Sequence, residues 1–305
     1  MNRLMRAVSF KTFFLFDRLG LHILPKHYYT PVPDYAWLRA NKEAWAGRAS
    51  LVGVHWDLDE QLEWLEGICR PYYHEVAGLK FCREATARGL GPGFGGIESQ
   101  VLHCFLRTQT PPRIIEVGSG VSTACLLHAS DINVQEGRPG SEIVAIEPYP
   151  KKALSSLGRV THIKQPCQTV PSSLFEQLKS GDLLFVDCSH AVKVGSDVIR
   201  IYLDIIPNLP PGVFIHIHDI YLPYLYPRSV LYYPFGWQET ALLLALLINN
   251  QHLSVLACLA ALHYERNREL VNLLTDYQPQ SNASGICPSY PPKGHFPNSI
   301  WLRTC

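Results

Sequence analysis

Short apolar runs alternate with helical stretches from residue 97 to the end of the chain, and this alternation constrains the fold most strongly. The runs are RIIEVG, EIVAIEP, THIKQ, GDLLFVDCS, PPGVFIHIHDI, HLSVLACL and SIWLR; the helices between them include IESQVLHCFLRT, VSTACLLHA, GSDVIRIYLDIIPNL and residues 239–248. Runs that are apolar throughout are typical of strands buried on both faces. The pattern therefore predicts an α/β fold, with a mostly parallel sheet and helices on both of its faces.

Residues 1–95 differ in composition from the remainder of the chain. They hold four of the six tryptophans and the Pro- and Tyr-rich segment YYTPVPDYAWL. The stretch DEQLEWLEGICRPYYHEV predicts a helix capped by Asp59, with Leu62, Leu65 and Ile68 on one face. The glycine-rich stretch GLGPGFGG, at 89–96, marks a boundary. We expect a helical and irregular extension over 1–95, acting as a substrate cap or interaction segment, and a second domain over 96–305.

Composition excludes several classes of function. The 305-residue chain carries a net charge of +1 and no block of like charges, so nothing favours nucleic acid as a partner. Nine cysteines occur at irregular spacing without a C-x-x-C pair, which argues against a disulfide framework or a zinc site. A reducing, cytoplasmic location is the simplest expectation.

Two stretches raise the question of membranes. The N-terminus combines basic residues with phenylalanines and lacks a signal peptide; it predicts either peripheral membrane contact or a helix packed on its own domain. The residues concerned are Arg3, Arg6, Lys11, Phe10, Phe13, Phe14 and Phe16. The stretch 240–264 has no Asp, Glu, Lys or Arg, but the polar run 249–252 interrupts it, so we expect a buried helix, a turn and a strand.

Polar residues follow the first two predicted strands. The first ends in EVGSGVST, where Gly118 and Gly120 allow a tight turn and Ser119 and Ser122 add hydroxyls near a helix start. An acid, Glu116, precedes this turn, so the pattern is not that of a pyrophosphate binder. The second strand ends in Glu147, 31 residues after Glu116, where a carboxylate can accept hydrogen bonds from both ribose hydroxyls. The pair predicts a nucleoside ligand; two solvated strand-end acids are the alternative.

The successive motifs IIEVGSGVST, IVAIEP, GDLLFVDCSH and PGVFIHIHDI resemble the class I S-adenosylmethionine-dependent methyltransferases over residues 90–305. They are most similar to a bacterial branch often found with surface-polysaccharide and natural-product genes. The resemblance implies a Rossmann-like, seven-stranded sheet with S-adenosylmethionine over the first two strand ends. It also implies that Glu116, Gly118 and Gly120 hold the methionine portion and that Glu147 holds the ribose.

The fourth and fifth strand ends are similar to those of the metal-dependent catechol-type O-methyltransferases. Asp187 and Asp219 match two acids of that pattern, and His190 stands where the family has a lysine. Asp187 is also a candidate cofactor-binding residue. Ile220 stands where the family has an asparagine, which weakens the case for Mg²⁺. His218 can replace the missing ligand. Asp187, His218 and Asp219 would then suit Mn²⁺ or Fe²⁺ better than Mg²⁺.

The run VFIHIHDI places two histidines in one apolar strand. His216 lies deeper, and we expect it to be structural and hydrogen-bonded. We expect His218 and Asp219, at the strand end, to act at the reaction centre together with His190 as the base. The Tyr- and Pro-rich segment 221–239 is then either a lid over the acceptor or a packed loop.

The sequence therefore predicts transfer of a methyl group from S-adenosylmethionine to a hydroxyl of a small molecule or saccharide, with a divalent metal as a candidate cofactor. One alternative is a nicotinamide-dependent oxidoreductase on a Rossmann-like sheet. The other is a non-catalytic relative that binds the cofactor or a partner enzyme. The sequence does not name the acceptor or the oligomeric state.

Overall fold

The computed structural model describes residues 12–24, 26, 29–91, 93–281, 284–287 and 290–305. Within them, seven strands form one sheet in the order β3-β2-β1-β4-β5-β7-β6. The strands are β1 Arg113–Val117, β2 Glu142–Ile146, β3 Val160–Ile163, β4 Leu183–Val186, β5 Phe214–Ile217, β6 Leu253–Cys258 and β7 Ile300–Thr304. β1 to β5 are parallel, whereas β7 is antiparallel to β5 and β6. The mostly parallel seven-stranded Rossmann-like fold expected for a class I methyltransferase is confirmed.

Helices cover both faces of the sheet. Alternate residues of each strand enter different hydrophobic clusters: Ile114 and Phe185 join one, and Ile115 and Val186 join the other. From Tyr35 onward, the α-helices are Tyr35–Ala40, Lys42–Trp45, Leu58–Cys69, Lys80–Ala85, Gly96–Gln109, Val121–Gln135, Ser172–Phe175, Asp197–Arg200, Glu239–Leu247, Leu259–Glu265 and Asn267–Leu273. The predicted helix at 195–209 is present as Asp197–Arg200, continued by irregular helical turns to Asn208, and Ser196 caps it.

The helix Leu58–Cys69 differs from the prediction at its N-terminus. Asp57, not Asp59, is the cap, because its Oδ1 accepts hydrogen bonds from the backbone amides of Asp59 at 2.8 Å and Glu60 at 3.1 Å. Leu65 and Ile68 are buried in the cluster that lies on one face of the sheet. This part of the N-terminal region is therefore packed into the main core.

The charge-poor stretch after Thr240 folds as predicted into the helix Glu239–Leu247, a turn and β6. In the part of the chain that the structure describes, no helix is both long enough and apolar enough to cross a membrane. The predicted basic residues of the N-terminus, Arg3, Arg6 and Lys11, and Phe10 lie outside the described residues, as does Pro92 of the predicted boundary.

Candidate functional site

A cleft of about 490 Å³ opens at the carboxyl ends of β1, β2 and β4. Its lining includes Gly118, Glu147, Tyr149, Asp187 and Lys193. Its volume lies in the range of small-molecule sites, and its position is where ligands bind to open α/β sheets. The structure thus brings together three of the residues predicted to bind the cofactor.

Gly118 joins two strand ends at the floor of this cleft. Its φ is +89°, a backbone conformation that favours glycine. A Cβ atom at this position would lie 1.8 Å from the carbonyl oxygen of Asp187. Gly118 also donates its backbone amide to the carbonyl of Ile146 at 2.9 Å. The glycine is therefore required by the close approach of β4, which the sequence did not indicate.

Glu116 lies beneath the turn and is fully buried. Ser122 donates its hydroxyl to Glu116 Oε1 at 2.6 Å, whereas Oε2 has no hydrogen-bond partner among the described residues. Burial raises the pKa of the Glu116 carboxyl to about 8, although the hydroxyls of Ser122 and Thr123 act in the opposite direction. Ser122 therefore orients Glu116, and one acid oxygen remains available to a donor.

The other predicted cofactor residues lie around the same turn. The hydroxyl of Ser119 is buried and has no hydrogen-bond partner among the described residues. Gly120 begins the helix Val121–Gln135 and donates its amide to the hydroxyl of Thr123 at 3.0 Å. Glu147 accepts the amide of Tyr149 at 2.7 Å, which fixes its carboxylate at the cleft wall.

We expect the raised pKa of Glu116 to make stability depend on pH. The unfolded chain releases this proton near pH 4.5, whereas the folded chain retains it up to about pH 8. The contribution of Glu116 to the free energy of unfolding is therefore fully present at low pH. It is lost as pH rises through this window, by roughly 1.4 kcal/mol per pH unit. Glu116→Gln should remove this decline and be a few kcal/mol more stable than the wild type near pH 8.

Denaturant unfolding at intervals across that window measures the effect. The exposed acid Glu176 supplies the control, because Glu176→Gln should leave the pH profile of the wild type unchanged. Parallel profiles for the wild type and Glu116→Gln would contradict a buried, protonated Glu116.

A second cluster surrounds His190 at the ends of β4 and β5. His190 Nδ1 lies 2.7 Å from Glu239 Oε2, and its Nε2 lies 3.4 Å from Asp187 Oδ1 and 3.3 Å from Asp219 Oδ2. Burial opposes protonation, but Asp187 and Glu239 raise the pKa of His190 well above its ordinary value. The ring lies among three carboxylates that favour its protonated form, and in that form it would donate hydrogen bonds to them.

Two residues of this cluster have unusual backbone conformations. His190 has φ +56° and Asp219 has φ +57°, and they are two of five non-glycine residues with positive φ among those described. Such conformations cost energy and are concentrated at functional sites. They turn both side chains toward the same point beyond the sheet, where His190 Nε2 lies 3.3 Å from Asp219 Oδ2.

His218 completes a potential metal-ligand set with Asp187 and Asp219. One ligand atom from each of the three lies within 4.8 Å of the other two. His218 is 3 % exposed, and its Nδ1 has no hydrogen-bond partner among the described residues. Burial alone would raise the pKa of Asp187, but the nearby imidazoles of His218 and His190 hold it below its usual value. Two carboxylates and an imidazole nitrogen without a hydrogen-bond partner among the described residues fit a divalent cation.

His216 lies deeper in β5 than His218, as predicted. Its Nδ1 has no partner among the described residues. The ring stacks on Phe185 at 4.3 Å and contacts Trp301 at 4.6 Å. Burial lowers the pKa of His216 well below its ordinary value. The ring is therefore a neutral, apolar component of the core.

Several residues at this site escaped the sequence interpretation. Asn298, just before β7, donates its side-chain amide to Asp219 Oδ1, and Tyr221 donates its hydroxyl to the same oxygen at 2.7 Å. The backbone amide of Asn298 donates to buried Glu98 at 3.0 Å. The predicted lid segment reaches the site through Trp237, whose ring lies 4.8 Å from His190.

Residues 115–220 match a family model described as "Methyltransferase domain". This stretch includes Glu116, the glycine turn, Glu147, Asp187, His190 and Asp219. The matched stretch, about a third of the chain, is thus similar to a methyltransferase domain. No curated protein matches this sequence.

Two solved methyltransferases are similar to the whole chain at low identity. One is the SAH-bound PaMTH1 of Podospora anserina, with 17 % identity, a TM-score of 0.41, and coverage of 93 % of this chain and 99 % of that one. The other is the O-methyltransferase TomG of Streptomyces achromogenes in complex with SAM, with 15 % identity, a TM-score of 0.41, and coverage of 82 % and 91 %.

The sheet order separates this methyltransferase domain from the nicotinamide alternative. Dinucleotide-binding Rossmann sheets have the order 3-2-1-4-5-6 with parallel strands. Here an antiparallel β7 lies between β5 and β6. The oxidoreductase alternative is therefore not favoured.

Proposed function

We propose that this protein transfers the methyl group of S-adenosylmethionine to a hydroxyl of a small molecule or saccharide, assisted by a divalent cation. The observation that carries the proposal is the position of Asp187, which lines the cofactor cleft and also belongs to the set with His218 and Asp219. A cation bound there would lie beside the cofactor. Methyl transfer requires this arrangement, because donor and acceptor must be aligned.

Cofactor binding is assigned to the first two strand ends. The free oxygen of Glu116 and the turn Gly118, Ser119 and Gly120 hold the methionine portion, with Ser122 orienting Glu116. The carboxylate of Glu147 holds the ribose hydroxyls. Both assignments are supported by the buried orphan atoms of Glu116 and Ser119 and by the position of Glu147 in the cleft wall.

Asp187, His218 and Asp219 are proposed to hold the cation, of the Mn²⁺, Fe²⁺ or Mg²⁺ type. A bound cation supplies a Lewis acid that lowers the pKa of a coordinated hydroxyl. His190 takes the hydroxyl proton at Nε2 while Glu239 orients its other nitrogen. His190 can accept a proton only when neutral, so Asp187 and Asp219 must first be engaged by a cation and not by the imidazolium.

The methyl-transfer assay tests the proposal directly. Labelled S-adenosylmethionine is supplied with a panel of hydroxylated acceptors, and transfer is measured with EDTA and after Mn²⁺ is restored. We expect transfer that EDTA abolishes and Mn²⁺ recovers. Cofactor binding without transfer to any acceptor would favour a non-catalytic relative, and EDTA-resistant transfer would remove the cation from the proposal.

Glu147→Ala is expected to weaken binding of S-adenosylmethionine about ten- to a hundredfold, because one charged hydrogen-bonding group to the ribose is lost. Calorimetric titration measures the affinity. Glu176→Ala, at an exposed position away from the cleft, is the matched control and should bind like the wild type. Wild-type affinity in Glu147→Ala would show that the ribose lies elsewhere.

Residues 1–95 are proposed to cap the acceptor side. Tyr35 donates its hydroxyl to the carbonyl of Tyr233 at 3.1 Å, and Arg39 donates to the carbonyl of Leu231 at 3.0 Å. The N-terminal region thus contacts the segment that leads to Trp237. We also propose that the protein is cytoplasmic and associates with a membrane.

A further inference from the structure

An apolar surface faces solvent near the N-terminus. Its six side chains are Phe14, Leu15, Leu19, Leu21, Ile23 and Leu24. Leu19 is 69 % exposed and Phe14 is 62 % exposed. Single exposed apolar residues need no explanation, but six of them between residues 14 and 24 indicate an interaction surface. We call residues 12–24 the apolar segment.

The apolar segment has a folded structure of its own. Leu21 donates its amide to the carbonyl of Phe16 at 3.0 Å, which closes a turn. The ring of Phe13 packs against His22 at 5.3 Å, and His22 Nε2 lies 2.9 Å from Asp17 Oδ1. Phe13 and Phe16 are half-buried in this turn. The exposed apolar side chains are therefore carried by a folded turn.

The charge of this end of the chain is basic. Residues 1–24 contain four basic residues, Arg3, Arg6, Lys11 and Arg18, and one acidic residue, Asp17. Asp17 is paired with His22. The chain as a whole carries only +1, so its first 24 residues are more basic than the chain on average. Apolar and aromatic side chains next to Lys and Arg are the composition of segments that lie in a membrane interface.

We propose that the apolar segment docks on an anionic lipid surface. The outward side chains insert among the headgroups, and the basic residues add attraction to anionic lipids that salt weakens. Six side chains are too few for a stable protein interface, which needs about 20–30 residues a side. Shallow insertion into lipid needs no such area, and the charge selects an anionic surface.

Vesicle flotation with the full chain tests the proposal. The vesicles are phosphatidylcholine alone, or equimolar phosphatidylcholine and phosphatidylglycerol. We expect binding to the anionic vesicles that falls with added salt. Leu15→Ser combined with Leu19→Ser should weaken it roughly tenfold or more, because two large apolar side chains no longer insert.

Leu203→Ser is the matched control, since Leu203 and Leu15 are both 61 % exposed but lie in different parts of the chain. It should bind like the wild type. The proposal is overturned if the wild type does not float with anionic vesicles, or if the double variant binds equally well. It is also overturned if light scattering shows that the double variant turns a dimer into a monomer, since a second copy would then cover the segment.

We also infer that Asn298 is a positioning residue for Asp219, an inference that rests on the proposed cation site. Asn298 and Tyr221 both donate to Asp219 Oδ1. Oδ2 is the oxygen that faces His190 Nε2 at 3.3 Å. One oxygen of Asp219 is thus fixed by neutral donors, and the other is presented to the cation.

The backbone carbonyl and the backbone amide of Asn298 are both hydrogen-bonded. Its carbonyl accepts the amide of Ile220 at 2.6 Å, and its amide donates to Glu98. Ile220 is the position where the sequence lacks the asparagine of the metal-dependent pattern. The chain lacks a side-chain amide at position 220. Asn298, in the segment before β7, therefore supplies an amide beside the Asp219 carboxylate.

Titration of Mn²⁺ into the apoprotein tests this second inference. Groups that orient a metal ligand are worth about ten- to a hundredfold in metal affinity. We expect such a loss for Asn298→Ala and a similar one for Tyr221→Phe, which keeps its ring on Phe296, with cofactor affinity unchanged. Asn208→Ala, at an exposed asparagine, is the control.

The outcomes separate the inference from the function on which it rests. A wild type that does not bind Mn²⁺ overturns the cation site itself. A wild type that binds Mn²⁺, with both variants folded and of equal affinity, overturns the role of Asn298 alone.

Discussion

Replacing His190 with alanine is expected to lower the rate of methyl transfer roughly 10²–10⁴-fold, because a positioned base is removed. Cofactor affinity should change little, since His190 does not line the cleft where the cofactor is proposed to bind. The measurement is single-turnover transfer at saturating S-adenosylmethionine and Mn²⁺. Full activity in His190→Ala would place the chemistry on another residue.

The structure adds a complication to this experiment. Glu239 is 1 % exposed and pairs with His190, so His190→Ala leaves a buried acid without its cation. Such a loss is strongly destabilising. His190→Ala combined with Glu239→Gln removes the orphaned charge. We expect this double variant to recover stability but not activity, which separates a catalytic role from a structural one.

The neighbouring histidines provide the comparison. His218→Ala should lower the rate and also weaken activation by metal. His216→Ala should cost roughly 1–3 kcal/mol of stability, because its ring fills space between Phe185 and Trp301, with a smaller effect on the folded fraction's rate. The exposed His74 is the control. An inactive but fully stable His216→Ala variant would reverse these roles.

The strands were predictable because both faces of the sheet are covered. A strand buried on both sides must be apolar throughout, so RIIEV and LLFV are visible without any partner. Their ends were predictable too, since polar residues directly after such a run must lie at one edge of the sheet. The exact helix cap was not predictable. Asp57 and Asp59 are both good caps, and only the structure shows that the helix begins at Leu58.

Asn298 could not be found from local pattern, because it lies far along the chain from Asp219. Topology brings the two together. β7 is antiparallel to β5, with Ile300 opposite Ile217, so residues that precede β7 lie where β5 ends. A prediction of β7 as an antiparallel neighbour of β5 would have indicated Asn298, but the run SIWLR carries no sign of its direction.

The charge state of His190 was also beyond the sequence. A histidine three residues after an acid indicates a base near neutral pH. Only the fold brings Asp219 and Glu239 to the same ring as Asp187, and together these acids raise the pKa of His190. The proposed function thus depends on a competition between imidazolium and cation for Asp187 and Asp219, which sequence spacing does not contain.

Gly118→Ala is expected to destabilise the protein by at least about 3 kcal/mol. The new Cβ would lie 1.8 Å from the carbonyl oxygen of Asp187. This neighbour is backbone, so β1 and β4 must separate at their ends. Because Asp187 lines the cleft and belongs to the cation set, affinities for S-adenosylmethionine and Mn²⁺ should both fall in any protein that remains folded.

Gly181→Ala isolates the steric part of this effect. Gly181 has φ +91°, close to that of Gly118, but a Cβ there meets nothing within 4 Å. It should therefore show only the cost of the left-handed backbone, about 1 kcal/mol, with both affinities unchanged. Thermal unfolding and the two titrations measure the difference. Equal losses of stability and equal affinities in the two variants would mean that the backbone at Asp187 shifts without cost. The glycine turn would then not couple the cofactor cleft to the cation site.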